Sequence, residues 1–172
     1  DEEKAPKDKR LFVSAPTRDL QKSLSAEQVF KRLKEGHQRF CEGHSVHNDL
    51  HDQLAETAEA HHPLAVIVSC VDARVSPERV FDVGLGEALV VRSAGNIISP
   101  ESLGSVEYAS ALAGVKLMVV LGHTRCGVIK AGVAVSEGDQ EVCACEHTAA
   151  LVAPVGELLS ELRASGEERE PH

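Results

Sequence analysis

Apolar residues along this chain come in two kinds of stretch, continuous runs and helically spaced sets. LAVIVS at 64–69, opened by Pro63, is a continuous apolar run of the kind found in strands buried on both faces, LMVVLG at 117–122 is a second strand-like apolar run, and the shorter ALVV at 88–91 lies between them. Around these runs the spacing changes to three and four. Val29, Phe30, Leu33 and His37 recur at helical intervals behind Ser25, a candidate N-cap whose capping-box partner is Gln28, so a helix is expected over about 25–42. Pro77 suits the first turn of a short helix through Val80 and Phe81, which Gly84 and Gly86 then break. In ESLGSVEYASALAG, Leu103, Val106, Ala109 and Ala113 share one helical face, and Gly114 can close that helix. A helix packed through small residues is expected at 127–135, and a longer amphipathic one at 146–164 ahead of the acidic tail GEEREPH.

Two stretches lack such a pattern. Residues 1–22 mix charges with Pro6 and Pro16 and read as an extended arm of the kind that wraps a partner subunit, and 43–63 reads as a polar, histidine-rich loop. The resulting division is an N-terminal arm at 1–24 and one domain at 25–172. Alternating buried strands and helices predict an α/β fold with a central, mainly parallel β-sheet flanked by helices, joined by right-handed crossovers. In open sheets of this class ligands bind at the C-terminal ends of the strands.

Composition narrows the function classes. A chain of 172 residues, 42% hydrophobic and 26% charged, has the makeup of one globular domain with a real core. Its net charge of −9 argues against a nucleic-acid partner, because phosphate binding needs a clustered basic surface. No apolar stretch approaches the roughly 20 residues that span a bilayer, and DEEKAPKDKR at the start is too charged for a secretory signal, so a soluble intracellular protein without a membrane partner is expected. Five cysteines is an odd number. Two of them stand in ligand-like positions beside His and Asp, which favours a metal in a reducing compartment over a disulfide framework. That compartment is the cytoplasm, or a plastid or mitochondrion if a transit peptide has been removed.

The candidate chemistry lies at the ends of the two long apolar runs. Cys70, Asp72 and Arg74 follow LAVIVS, and His123 follows LMVVLG, with Cys126 three residues further on. Thiolate and imidazole are donors that Zn²⁺ favours, and three protein ligands leave a fourth position open. The C-x-C-x-H run of Cys143, Cys145 and His147 is spaced too tightly on an expected helix for tetrahedral ligation and is read as surface or core thiols. His44, His47, His51, His61 and His62 fall in the polar loop, where solvent exposure is the default reading, and Cys41 reads as structural. Neither a phosphate loop with its arginine nor a C-x-x-C pair is present to support thiol phosphatase or redox chemistry.

These elements closely resemble the β-class carbonic anhydrases. CVDAR at 70–74 is similar to that family's C-x-D-[S/A]-R element and HTRC at 123–126 to its H-x-x-C element. VRSAGNI and GSVEYA resemble its linking segments, and LKEGHQRF at 33–40 its N-terminal helix; the resemblance covers roughly residues 25–135. It implies Zn²⁺ held by Cys70, His123 and Cys126, an active site at the interface of a homodimer or dimer of dimers, and reversible hydration of carbon dioxide to bicarbonate by a zinc-bound hydroxide. It further implies that Asp72, paired with Arg74, orients that hydroxide, and that Asp72 becomes a fourth ligand in a closed form at lower pH. The resemblance also implies supporting substrate-binding positions for Gly127 and Tyr108. His61 and Leu89 stand where the plant-type pattern has glutamine and phenylalanine, a departure that bears on substrate contact. Up to His172 the sequence supplies no final strand of the kind that completes the family's sheet edge. Two other readings share the scaffold: a carbonyl sulfide or carbon disulfide hydrolase, and a non-catalytic protein that binds zinc or bicarbonate.

Overall fold

The computed structural model describes residues 14–46, 50–139 and 145–166. In chain order the elements are α1 (Arg18–Ser23), α2 (Ala26–Cys41), α3 (Leu50–Glu56), β1 (Ala65–Cys70), α4 (Pro77–Val80) and β2 (Ala88–Ser93). A 3-10 turn at Ala94–Asn96 follows, then α5 (Pro100–Ala111), β3 (Leu117–Leu121), α6 (Gly127–Ser136) and α7 (Glu146–Ser165).

The three strands form one parallel sheet in the order β2-β1-β3, so the first strand is central and the chain crosses it between β2 and β3. Ala65 lies opposite Ala88 and Leu117, and Cys70 lies opposite Ser93. All six residues of β1 are buried, as a continuous apolar run requires. One face of the sheet packs on α2, where Val29, Leu33, Leu64 and Ala65 cluster with Leu117 and Val119. The other face packs on α5, through Val66, Ala109 and Val115 with Leu89, Val91 and Val106. The expectation of a buried strand fails for β3. Its exposure alternates, and Met118 and Val120 are 55% and 63% exposed. As an edge strand β3 shields only the side facing α2; among the described residues α5 does not extend over Met118 and Val120.

The capping box foreseen for α2 is present, with Ser25 Oγ accepting from the Gln28 amide at 3.2 Å and Gln28 Oε1 accepting from the Ser25 amide at 2.8 Å. Two arginines, seven residues apart on this helix, tie it to the turn ahead of β2. Arg32 meets the buried Glu87 at 2.7 Å and Arg39 meets Asp82 at 2.6 Å. Gly36 lies between them against the Phe81 carbonyl, so close that a Cβ would overlap it.

Two segments correct the expectations. The arm reading assigned an extended chain to residues 1–22, yet Arg18–Ser23 is helical: the Thr17 side chain caps it, and the buried Gln21 donates to the carbonyls of Pro63 and Ala113 at 2.7 and 2.9 Å. Lys116 Nζ fastens the other end by donating to the carbonyls of Gln21, Lys22 and Leu24. The loop reading of 43–63 missed α3, whose one buried residue is the polar Gln53. Cys143, of the C-x-C-x-H run, lies outside the described residues, while Cys145 and His147 are exposed at the start of α7. Among the described residues no helix is long and apolar enough to cross a membrane.

Candidate metal centre

At its last residue β1 delivers Cys70, and the loop after β3 delivers His123 and Cys126, the latter as the N-cap of α6. β1 and β3 are neighbours in the sheet, so these side chains converge at its C-terminal end although 53 residues separate Cys70 from His123. Their donor atoms all lie within 4.8 Å of one another, and the two sulfurs are 4.0 Å apart. Cys70 and Cys126 are 4% and 8% exposed.

His123 is oriented by its own neighbour. Nδ1 stands 3.0 Å from the Thr124 carbonyl, which can only accept, so Nδ1 carries the proton and Nε2 keeps a free lone pair. That Nε2 is buried and makes no hydrogen bond among the described residues. A buried ring nitrogen without a partner, set against two buried thiols, is a donor set that fits a soft divalent metal. The electrostatics agree. Burial pushes the Cys70 thiol up, but interactions with His123, the Asp72 and Gly95 amides and Cys126 outweigh it and bring the thiol down to about 7. The same Cys70 neighbour raises His123 above its ordinary value.

Asp72 lies at the edge of the cluster, its Oδ2 4.0 Å from His123 Nδ1. Arg74 grips it with three donors: Nε at 2.9 Å and the backbone amide at 2.9 Å, both to Oδ1, and a terminal guanidinium nitrogen to Oδ2 at 2.7 Å. This fork holds the carboxyl well below the usual carboxylate range, and Asp72 in turn raises Arg74.

The segment joining β2 to the 3-10 turn, foreseen only as a link, supports both ligand-bearing loops. Arg92 donates from Nε to the Cys70 carbonyl at 2.9 Å and from a terminal nitrogen to the Asp72 carbonyl at 2.8 Å. Ser93 accepts from the Val71 amide at 3.2 Å, and the Gly95 amide donates to Cys70 Sγ at 3.4 Å. Asn96 donates to the Leu121 carbonyl at 2.9 Å, two residues before His123. Arg92, Gly95 and Asn96 were not among the expected site residues. Their signal was the polar VRSAGN run directly after an apolar strand, which spacing alone could not tell from an ordinary turn.

The remaining expected residues divide. Gly127 opens α6 directly after Cys126, and its helix borders a cleft of about 660 Å³ lined by His123, Cys126, Ile129 and Val133. His61 and Tyr108 instead line a separate cavity of about 450 Å³ with Arg18, Lys22 and Gly114, at the end of the sheet where β1 and β3 begin. Leu89 faces α5 in the core opposite Val66. Within one chain, therefore, these three do not meet the cysteines.

Comparison with known proteins agrees with this geometry. The family profile described as carbonic anhydrase matches residues 65–171. Carbonic anhydrase 2 of Mycobacterium tuberculosis is 46% identical over 107 residues, which are 62% of this chain and 52% of that protein. The carbonic anhydrase of Mycolicibacterium smegmatis is 44% identical over 113 residues, 64% of this chain and 55% of its own length. The chain thus spans about half the length of these curated relatives. Among solved structures, a Coccomyxa β-carbonic anhydrase in complex with acetazolamide shares the fold at a TM-score of 0.57 and 24% identity, over 77% of this chain and 58% of that one. One of two tetrameric β-carbonic anhydrases from Sordaria macrospora does so at 0.57 and 20%, over 83% and 67%. With the profile matching well over half of its residues, this chain belongs to the carbonic anhydrase family, in its β class.

Proposed function

We propose that this chain binds Zn²⁺ through Cys70, His123 and Cys126 and catalyses CO2 + H2O ⇌ HCO3⁻ + H⁺. The observation that carries the reading is the buried, unpartnered Nε2 of His123 facing two buried thiols, with an ionised carboxylate held beside them. Bound there, zinc would act as a Lewis acid that lowers the pKa of water to about 7.

The protein's own groups do the rest. Asp72, kept ionised by Arg74, accepts a hydrogen bond from the attacking water and so aims its lone pair at the substrate carbon. Arg74 also keeps Asp72 turned from the donor cluster; released, the carboxylate would be free to become a fourth ligand in a closed form. The first-turn amides of α6, beginning at Gly127, offer donors to an anionic product. His61, Leu89 and Tyr108 take substrate-facing roles in this reading only across an interface, since their own chain places them away from the cysteines. The functional unit proposed is therefore a homodimer or dimer of dimers. The apolar surface of Leu112, Met118 and Val120, each more than half exposed, is consistent with such association.

The test is stopped-flow hydration of carbon dioxide by zinc-loaded protein at mildly alkaline pH, with Cys70→Ser as the blank and sedimentation run in parallel. Rapid turnover that is lost with Cys70, from a species of at least two chains, is expected. Turnover retained in Cys70→Ser would sink the assignment. An active monomer would remove the interfacial roles of His61, Leu89 and Tyr108. Wild-type protein that holds one zinc, leaves carbon dioxide unhydrated and cleaves carbonyl sulfide or carbon disulfide would move the activity to those substrates.

A further inference from the structure

Arg92 is an arginine on the surface of β2 whose guanidinium meets no carboxylate among the described residues. Both of its hydrogen bonds go to main-chain carbonyls of the loop that carries the candidate ligands, Cys70 at 2.9 Å and Asp72 at 2.8 Å, across 22 and 20 residues of sequence. At this point the loop leaves the sheet. The last main-chain link from β2 is the Val71 amide on the Ser93 carbonyl, and beyond it the loop closes a turn on itself through the Val75 amide and the Asp72 carbonyl. The guanidinium continues the β2 side of the ladder where strand pairing has stopped. Its rigid fork spans residues i and i+2, which is the interval between Cys70 and Asp72.

We infer that Arg92 is a positioning residue for the metal centre: by bridging the carbonyls of Cys70 and Asp72 it sets the separation between the Cys70 thiolate and the Asp72 carboxylate. The inference rests on the zinc reading above. Arg92 acts through backbone rather than through charge. Arg74 is the cation that grips the Asp72 carboxylate, whereas Arg92 donates to the Asp72 main-chain carbonyl. A lysine keeps the charge but cannot place two donors at a fixed spacing, so Arg92→Lys separates the two explanations.

The experiment compares wild type, Arg92→Lys and Arg92→Ala, all zinc-loaded, by chelator competition, by amide exchange of segment 71–75 and by urea midpoint. Both variants are expected to weaken zinc binding about tenfold, in the range typical for a residue that orients a ligand. Exchange of 71–75 should quicken severalfold while the urea midpoint moves little. Lysine at wild-type affinity and exchange overturns the inference, as does a lowered urea midpoint with zinc affinity intact, the mark of a merely structural role. Should the alanine variant fail to fold, the lysine variant decides alone. If wild-type protein holds no zinc, the metal reading itself has failed. Exchange of 71–75 then decides between a loop that Arg92 holds and one that it does not.

Discussion

Gly95 carries two constraints at one atom. Its φ of +67° lies in the left-handed region, and a Cβ built on it would sit 2.6 Å from Val128 Cγ1 at the start of α6. Its amide also reaches Cys70 Sγ. Gly95→Ala is therefore expected to destabilise the fold by about 2 kcal/mol, from backbone strain together with overlap. It should weaken zinc binding as well, because relieving the overlap moves either the thiol's donor or α6, whose N-cap is Cys126. Urea unfolding of the variant checks the first effect and chelator competition the second. The same scale shows why the ligands were legible in the sequence and their supports were not. Cys, His and Asp announce themselves by chemistry. Arg92 and Asn96 act on carbonyls of Cys70, Asp72 and Leu121, and nothing about an arginine or an asparagine in sequence names the carbonyl it will find.

Among the elements, those with an apolar period or a capping signature were recovered to within a residue or two. LAVIVS became β1, Ser25 and Gln28 opened α2, and the face of Leu103, Val106 and Ala109 lies on α5. The two that were missed, α1 and α3, each bury a single glutamine and show water most of their other side chains. A hydrogen-bonded amide gives no hydrophobic period to read. At the head of α5, Glu101 is held below its ordinary value first by the helix's own amide and then by Ser99. A carboxyl with a depressed folded value contributes stability that is present above its unfolded value near 4.5 and lost as pH falls through the folded one. Glu101→Gln should thus lower the urea midpoint at neutral pH and become indistinguishable from wild type well below pH 4.5. A difference of constant size across that range would count against this account.

For the molecule as a whole, the alternation of strands and helices was enough to place a parallel sheet and to put its chemistry at the C-terminal ends of the strands. What alternation could not tell was which strand lies at the edge, and so which apolar residues would stay uncovered. Strand order also has a kinetic consequence. The ligands on β1 and after β3 become neighbours only when the intervening chain, with α4, β2 and α5, has crossed the sheet and come back. Closing so long a loop comes late among folding events, since its entropy must be overcome before the contacts form. Metal captured there would fasten a structure already assembled, as a latch closes a lid that is in place. Zinc is therefore expected to slow unfolding by orders of magnitude while leaving the refolding rate nearly unchanged, because interactions absent from the transition state act on the unfolding limb alone. Stopped-flow unfolding and refolding with and without zinc would read this directly, and faster refolding in zinc would mean that the ligands meet before the sheet does.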